Sequence, residues 1–202
     1  MEVPRNGPEP LPAWAVPPPG GFTAEALDRI PDLPPHTELI DGSLVFAGPQ
    51  RKYHMHFIRL LEYGLPRSVP PGFEVLREFD VILAPRQRPV PDLMVGRSPA
   101  GGEDDGDRTA CRAEDVVLVV EVVSPESEDR DRETKPMKYA RAGIRHFWRV
   151  ERGEDGNPVV YVYELDRAGV TYAISGIHHD RLKLSVPFDI DIDIALTAID
   201  RL

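Results

Sequence analysis

The order of apolar and polar residues along the chain predicts strands and helices in alternation. Apart from Glu121, residues 116–123 are apolar on both faces of a strand, which is typical of the centre of a sheet. Residues 37–46 form two apolar segments around Asp41-Gly42, a pair that supplies the positive φ angles of a tight hairpin turn. Further strands are predicted at residues 74–83, 90–95, 144–150, 159–165, 170–174 and 190–194.

Three helices are predicted between these strands. A short helix is expected over residues 23–30, and residues 50–65 have the apolar spacing of an amphipathic helix packed on a sheet. A third helix begins near residues 131–134, because Pro136 is tolerated only in the first turn of a helix. Gly143 provides a left-handed residue just past its end.

Length and proline content predict one domain that follows an extended arm. A chain of 202 residues has the size of a single domain with a sizeable core. Ten of the 22 prolines lie in residues 1–35, so most of the proline excess is local. We therefore predict a flexible proline-rich arm over residues 1–21 and a single domain over residues 22–202.

Cysteine content and hydropathy exclude secreted and membrane-spanning classes. The single Cys111 cannot form an internal disulfide or a Cys-based zinc site, which favours a reducing compartment. The first 21 residues lack the basic start and apolar run of a signal peptide. No apolar run approaches the about 20 residues that a membrane span needs. We expect a soluble, cytoplasmic protein without a membrane partner.

The acidic balance argues at first against a nucleic-acid partner. The chain has 24 Lys and Arg against 34 Asp and Glu, a formal charge of −10, whereas phosphate backbones are bound by clustered Lys and Arg. The acidic excess lies mainly in residues 1–40 and 96–115, while residues 51–62 and 127–150 are net positive. This distribution is compatible with DNA binding that is weak and strongly salt-sensitive.

Two carboxylates interrupt segments that are predicted to be apolar strands. Glu121 shares a strand face with Val119 and Val123, where an unpaired carboxylate would cost several kcal/mol. A buried Arg or Lys partner, an edge position facing water, or a hard cation such as Mg²⁺ would each compensate it. Asp92, taken alone, is explained as a turn or strand-start residue. Together, two carboxylates on neighbouring strands form a two-ligand metal site suited to activating water against a phosphoryl centre.

The predicted third helix carries a second group of polar residues. Asp131, Lys135 and Tyr139 recur at four-residue steps and therefore share one helix face. One explanation of this spacing is structural: an exposed ion pair between Asp131 and Lys135 beside a packed Tyr139. The functional alternative makes Lys135 the cation that positions an attacking water and stabilises charge on a phosphate.

Several short motifs occur in a characteristic order and spacing over roughly residues 38–165. They are Glu38-Leu39-Ile40-Asp41-Gly42, His54 at the start of a helix, Pro91-Asp92, Val120-Glu121-Val122-Val123-Ser124-Pro125-Glu126-Ser127, Asp131, Lys135, Tyr139-Ala140-Arg141-Ala142-Gly143-Ile144 and Phe147-Trp148. Taken together, these motifs resemble the Uma-two family of restriction-endonuclease-like proteins, which belongs to the PD-(D/E)xK nuclease superfamily.

The resemblance implies an α/β (α+β) fold with a restriction-endonuclease-like core, in which helices flank a mixed central sheet. It also implies Mg²⁺-dependent hydrolysis of phosphodiester bonds in DNA, with Mn²⁺ as a substitute. The residues that it implies for the site comprise the metal ligands Asp92, Glu121, the backbone carbonyl of Val122 and Glu38, the catalytic Lys135, and supporting positions at His54, Asp131, Tyr139 and Ser124.

One position departs from the superfamily pattern. The lysine of that pattern would fall two residues after Glu121, where this chain has Val123. In the Uma-two pattern a lysine on the following helix replaces it, and Lys135 stands four residues before Tyr139 as that pattern requires. A homodimer is expected by analogy with related nuclease folds.

Two alternatives to an active nuclease stay open at this point. The first is a nuclease-like fold without turnover that binds nucleic acid or protein. The second is a structural or partner-binding domain in which Asp92, Glu121 and Lys135 form a buried ion network.

Overall fold

The computed structural model describes residues 12–99 and 106–201, which form a mixed α+β fold. The strands in chain order are β1 (Glu38–Ile40), β2 (Ser43–Val45), β3 (Phe73–Arg77), β4 (Asp80–Ile82), β5 (Leu93–Arg97), β6 (Ala110–Arg112), β7 (Val116–Val122), β8 (His146–Arg152), β9 (Pro158–Leu165), β10 (Tyr172–His178), β11 (Arg181–Leu184) and β12 (Ile190–Asp193). The α-helices are α1 (Ala24–Leu27), α2 (Lys52–Gly64) and α3 (Lys135–Arg141). Short 3₁₀ turns cover Ala13–Ala15, Leu65–Arg67, Ala113–Asp115 and Leu196–Arg201, and a π-helical turn covers Arg130–Thr134.

Six strands form the central sheet in the order β10-β9-β8-β7-β5-β3. Strands β7 and β8 run parallel, and the other neighbouring pairs are antiparallel. Strand β7 lies between β5 and β8, and six of its seven residues are buried. The prediction of a central strand over residues 116–123 is therefore confirmed.

The two faces of β7 pack against different helices, because successive side chains of a strand point to opposite faces. Val120 and Val122 belong to the core cluster that contains Phe57 and Leu61 of α2. Val119 belongs to the cluster on the other face, with Tyr139 of α3. Glu121 shares this second face, so its side chain is directed towards α3.

The predicted hairpin is present as β1 and β2, with Asp41 at φ 53° and Gly42 at φ 80° in the turn. Strand β1 of this hairpin is hydrogen-bonded to the loop before β5. Leu39 and Arg88 exchange backbone hydrogen bonds of 2.9 and 2.8 Å. This attachment brings Glu38 beside the segment that leads into β5, where its Oε1 accepts a hydrogen bond from the backbone N–H of Val90.

The single strand predicted over residues 74–83 is wrong in one respect. Glu78 has a left-handed φ of 48°, which separates β3 from β4, and its N–H donates to the carbonyl of Asp92 at 3.1 Å. Strand β4 then pairs in parallel with β6, a strand that the sequence pattern did not predict. Asp92 itself lies directly before β5 rather than inside a strand.

The remaining elements follow the predictions with shifted boundaries. The third helix begins as the π-helical turn and ends before Gly143, which has φ 82°. Strand β12 alternates between buried and exposed residues, as the period of two predicts, and pairs with the unpredicted β11. Residues 1–11 of the arm predicted over residues 1–21 lie outside the described residues. In the described part of the arm, the ring centroid of Trp14 lies 6.3 Å from that of Phe46. In the part of the chain that the structure describes, no helix has the length and apolar character of a membrane span.

Candidate active site

A buried lysine lies at the centre of a group of carboxylates. The Nζ atom of Lys135 is 2.8 Å from Glu38 Oε1, 3.1 Å from Glu121 Oε2 and 3.4 Å from Asp131 Oδ1. Lys135 and these three acidic residues are each less than one-tenth exposed. Four elements meet at this point: the hairpin supplies Glu38, the central strand Glu121, the π-helical turn Asp131 and the start of α3 Lys135.

Glu121 is the most deeply buried of the carboxylates, at 1% exposure. Its Oε1 accepts a hydrogen bond of 2.6 Å from the Tyr139 hydroxyl, and its Oε2 accepts one from Lys135. Burial raises the pKa of Glu121 well above its ordinary value even though the Lys135 cation opposes that shift. Burial likewise raises the pKa of Asp131. The site thus holds carboxylates in surroundings that disfavour their charge.

Lys135 is held in its cationic form. Burial by itself would lower the pKa of this lysine, but the facing carboxylates Glu121, Glu38 and Asp131 raise it well above the ordinary value. An ammonium whose pKa is raised cannot act as a base near neutral pH. Lys135 is therefore suited to stabilising negative charge rather than to accepting a proton.

Asp92 is held between a backbone amide and a histidine. The N–H of Val122 donates to Asp92 Oδ2 at 2.6 Å, and Nε2 of His54, in the first turns of α2, is 3.2 Å from Asp92 Oδ1. Burial would lower the pKa of His54, but the hydrogen bond and charge of Asp92 raise it above the usual value. The Nδ1 atom of His54 is buried, with no hydrogen-bond partner among the described residues.

These residues surround a cavity of about 340 Å³ at the end of β7. Of the residues that the sequence analysis singled out, its wall contains Glu38, His54, Asp92, Glu121, Ser124, Asp131 and Lys135. Tyr139 is fully buried beneath Glu121, and Val122 faces the α2 side while its N–H binds Asp92. The structure therefore brings together the side chains that the sequence analysis proposed.

Ser127 and Arg130 line the cavity, but neither was predicted from the sequence as a site residue. Ser127 Oγ donates to Asp131 Oδ2 and lies 2.9 Å from Ser124 Oγ. The signal for Ser127 was present, because Ser127, Asp131, Lys135 and Tyr139 continue one series of four-residue steps. Arg130 precedes Asp131 directly, and no periodic pattern distinguished it from the other basic residues of the segment.

The donor atoms fit a hard divalent cation in their chemistry. Glu38, Asp92, Glu121 and Asp131 bring four carboxylates to one cavity, and among the described residues Lys135 is the one Lys or Arg within 3.5 Å of any of their oxygens. Among residues 12–99 and 106–201, no three His, Cys, Asp or Glu side chains are arranged as a ready-made metal cage. Mg²⁺ does not require one, because it is usually held by one or two carboxylates and retains several waters.

Comparison with known proteins identifies the family. A model of the Uma2 family, described as "putative restriction endonuclease", matches residues 24–197. A solved structure of a "putative nuclease belonging to DUF820" from Anabaena variabilis ATCC 29413 is similar in fold, with a TM-score of 0.60 and 16% identity over 82% of this chain and 89% of that chain.

Among curated proteins, no sequence is significantly similar to this one. The structural likeness supports the expected nuclease-like mixed fold. Because the family model covers most of the chain, including the segments that build the acidic cavity, this protein belongs to the Uma2 family of restriction-endonuclease-like proteins.

Proposed function

We propose that this protein is a metal-dependent endonuclease that hydrolyses phosphodiester bonds in DNA. The observation that carries the proposal is the convergence of Glu38, Glu121 and Asp131 on Lys135, with Asp92 in the wall of the same cavity. A buried cluster with more carboxylates than cations is costly for a purely structural core. Such a cluster is expected where a cation and a charged substrate complete the site.

Asp92 and Glu121 would hold Mg²⁺ or Mn²⁺, with Glu38 and the backbone carbonyl of Val122 as further ligands. When bound, the ion supplies Lewis-acid stabilisation of the phosphoryl oxygens and lowers the pKa of a coordinated water. The protein itself orients the two main carboxylates. The Val122 amide and His54 fix Asp92, and the Tyr139 hydroxyl fixes Glu121.

Lys135 would stabilise the negative charge that develops on the phosphoryl group. Its ammonium group stays protonated because three carboxylates face it, and its burial strengthens each of its electrostatic interactions. Asp131 orients this ammonium, and Ser127, supported by Ser124, holds the Asp131 carboxylate in turn. These residues act as a preorganised unit around the reacting group.

The proposal is tested by incubating the purified chain with plasmid and single-stranded DNA in Mg²⁺, Mn²⁺ or EDTA. We expect cleavage with either metal, none with EDTA, and a loss of at least about 100-fold in Asp92→Asn and Glu121→Gln. Both substitutions keep the shape of the side chain, and thermal unfolding verifies that each variant is folded. Cleavage by either variant at the parent rate would refute the assignment.

One observation favours a second candidate, a nuclease-like module that binds nucleic acid or protein without turnover. Both oxygens of Glu121 already accept hydrogen bonds, from Tyr139 and from Lys135, so each oxygen of this carboxylate has a partner without a metal. The same assay separates the two candidates, since binding of DNA without metal-dependent cleavage supports the module.

The proposal includes an assembly and a location. A homodimer would place one active site on each strand of a DNA duplex, as in related nuclease folds. Sedimentation of the full chain measures its oligomeric state. The single buried cysteine fits a reducing compartment such as the cytoplasm.

A further inference from the structure

The wall of the acidic cavity contains two permanently cationic side chains among the described residues, Lys135 and Arg130. Lys135 is paired with Glu38, Glu121 and Asp131. Arg130 differs from it in burial and in bonding. Its side chain is 33% exposed, and its one close carboxylate oxygen in the described chain is Glu38 Oε2, 4.0 Å from Nε.

That separation is too long for a hydrogen bond, which needs about 2.7–3.2 Å between N and O. The Nε atom of Arg130 is itself buried and has no hydrogen-bond partner within the described ranges. A buried guanidinium nitrogen without an acceptor is costly, and each such group requires an explanation, such as a functional role or a bound ion or water.

The neighbouring arginines have firm carboxylate partners. Arg51 binds Glu126, a residue of the cavity wall, at 2.6 Å. Two residues along the chain, Arg132 binds Glu151 at 2.6 Å and also pairs with Glu128. Arg130 therefore differs from both neighbours, because it lines the cavity without a firm acceptor.

We propose that Arg130 is a phosphate-binding residue that holds a phosphodiester group of the nucleic-acid strand at the mouth of the acidic cavity. The inference rests on the proposed function, because it assigns a ligand to the same site. The planar guanidinium has five N–H donors and matches the oxygens of a phosphate better than an ammonium does. The acidic wall would repel an anion that lacked such a cationic contact.

Arg130 begins the π-helical turn that also carries Asp131, and this turn leads directly into Lys135. Turns of this kind occur frequently at functional sites. A phosphate held by Arg130 would therefore be aligned with the carboxylates by one short, continuous segment. This placement makes Arg130 a positioning residue. Loss of its guanidinium should weaken binding of the nucleic-acid strand more than it slows the chemical step.

The test measures binding of a fluorescein-labelled DNA duplex to the full chain by anisotropy, in EDTA and in Ca²⁺, over a series of NaCl concentrations. We expect Arg130→Ala to weaken binding about tenfold or more. The slope of log K against log salt should become shallower by about 0.9, the value for one lost phosphate contact on duplex DNA. Arg130→Lys should keep the slope and lose part of the affinity, because it keeps the charge but not the fork of donors.

Arg141→Ala is the matched control, because Arg141 is exposed on α3 and its removal changes the net charge equally. We expect it to change affinity less than threefold. If Arg130 only supports Glu38, Arg130→Ala will lower the unfolding temperature and leave the salt slope unchanged, which overturns the proposal.

Failure of the proposed function is distinguishable from failure of this inference. If the parent binds DNA but does not cleave it with Mg²⁺, the nuclease proposal fails and the salt slope still decides the role of Arg130. If the parent cleaves and Arg130→Ala binds with parental affinity and slope, the inference alone fails. If the parent does not bind DNA, both fail. In an active protein, Arg130→Ala should raise KM more than it lowers kcat.

Discussion

Replacing Lys135 by methionine removes the one cation at the centre of the carboxylate cluster. Methionine keeps most of the length and apolar surface of the lysine stem, so the main change is the loss of charge. The substitution leaves Glu38, Glu121 and Asp131 facing one another at 7%, 1% and 2% exposure. The carboxylates then lack their shared partner in surroundings where water cannot replace it.

The expected loss of unfolding free energy for Lys135→Met is about 3–5 kcal/mol, the usual cost of removing one partner from a buried ion pair. Lys138→Met is the matched control on the same helix. Lys138 is also buried, but its partner Asp41 is 70% exposed and remains hydrated after the substitution. Its ion pair should therefore contribute about 1 kcal/mol or less.

Urea unfolding at pH 7, followed by circular dichroism, measures both losses. Adding Glu121→Gln to Lys135→Met should recover part of the lost stability, because it removes one of the uncompensated charges while keeping the acceptor for Tyr139. The coupling free energy from the four proteins reports the Lys135–Glu121 interaction. Equal losses in Lys135→Met and Lys138→Met, with no coupling, would refute the view that Lys135 compensates the buried acids.

Three further outcomes are expected. Arg88→Met should lower the unfolding free energy by about 1–3 kcal/mol, because Asp80, which the buried guanidinium binds at 2.6 Å, is only 21% exposed and loses its partner, whereas Asp28, bound at 2.8 Å, is 46% exposed and stays hydrated; urea unfolding at parental stability would contradict this. Gly42→Ala should cost about 1–2 kcal/mol, since Gly42 has φ 80° and a Cβ there would lie 2.5 Å from a side-chain nitrogen of Arg86; an unchanged urea midpoint would show that the turn tolerates a side chain. DNA binding, measured by anisotropy, should weaken steeply as NaCl rises, and binding that strengthens with salt would exclude a phosphate interface.

The elements that could be predicted from the sequence are those with a strong local signal. The central strand was marked by its continuous apolar run, and the hairpin by Asp41-Gly42, whose positive φ angles the structure contains. Pro136 and Gly143 bounded the third helix correctly because each restricts the backbone by itself.

The elements that could not be predicted depend on partners distant in the chain. Strands β6 and β11 have three and four residues, too few for a period to be recognised. The break at Glu78 depends on a hydrogen bond to Asp92, fourteen positions away. Arg130 was missed for the same reason, since its lack of a firm acceptor is a property of the folded cavity and leaves no trace in the local sequence.

The position of Lys135 shows how a helix can supply a charge that the strand does not. Val123, two residues after Glu121, is itself buried, and its N–H is bound to the carbonyl of Val150. The face of β7 that carries Glu121 is covered by α3, whose Tyr139 and Lys135 reach the two oxygens of Glu121. The two donors lie one turn apart on the helix, as their four-residue spacing predicts. A lysine on this helix therefore delivers its ammonium to Glu121 without a polar side chain at Val123, and the apolar character of the strand end is preserved.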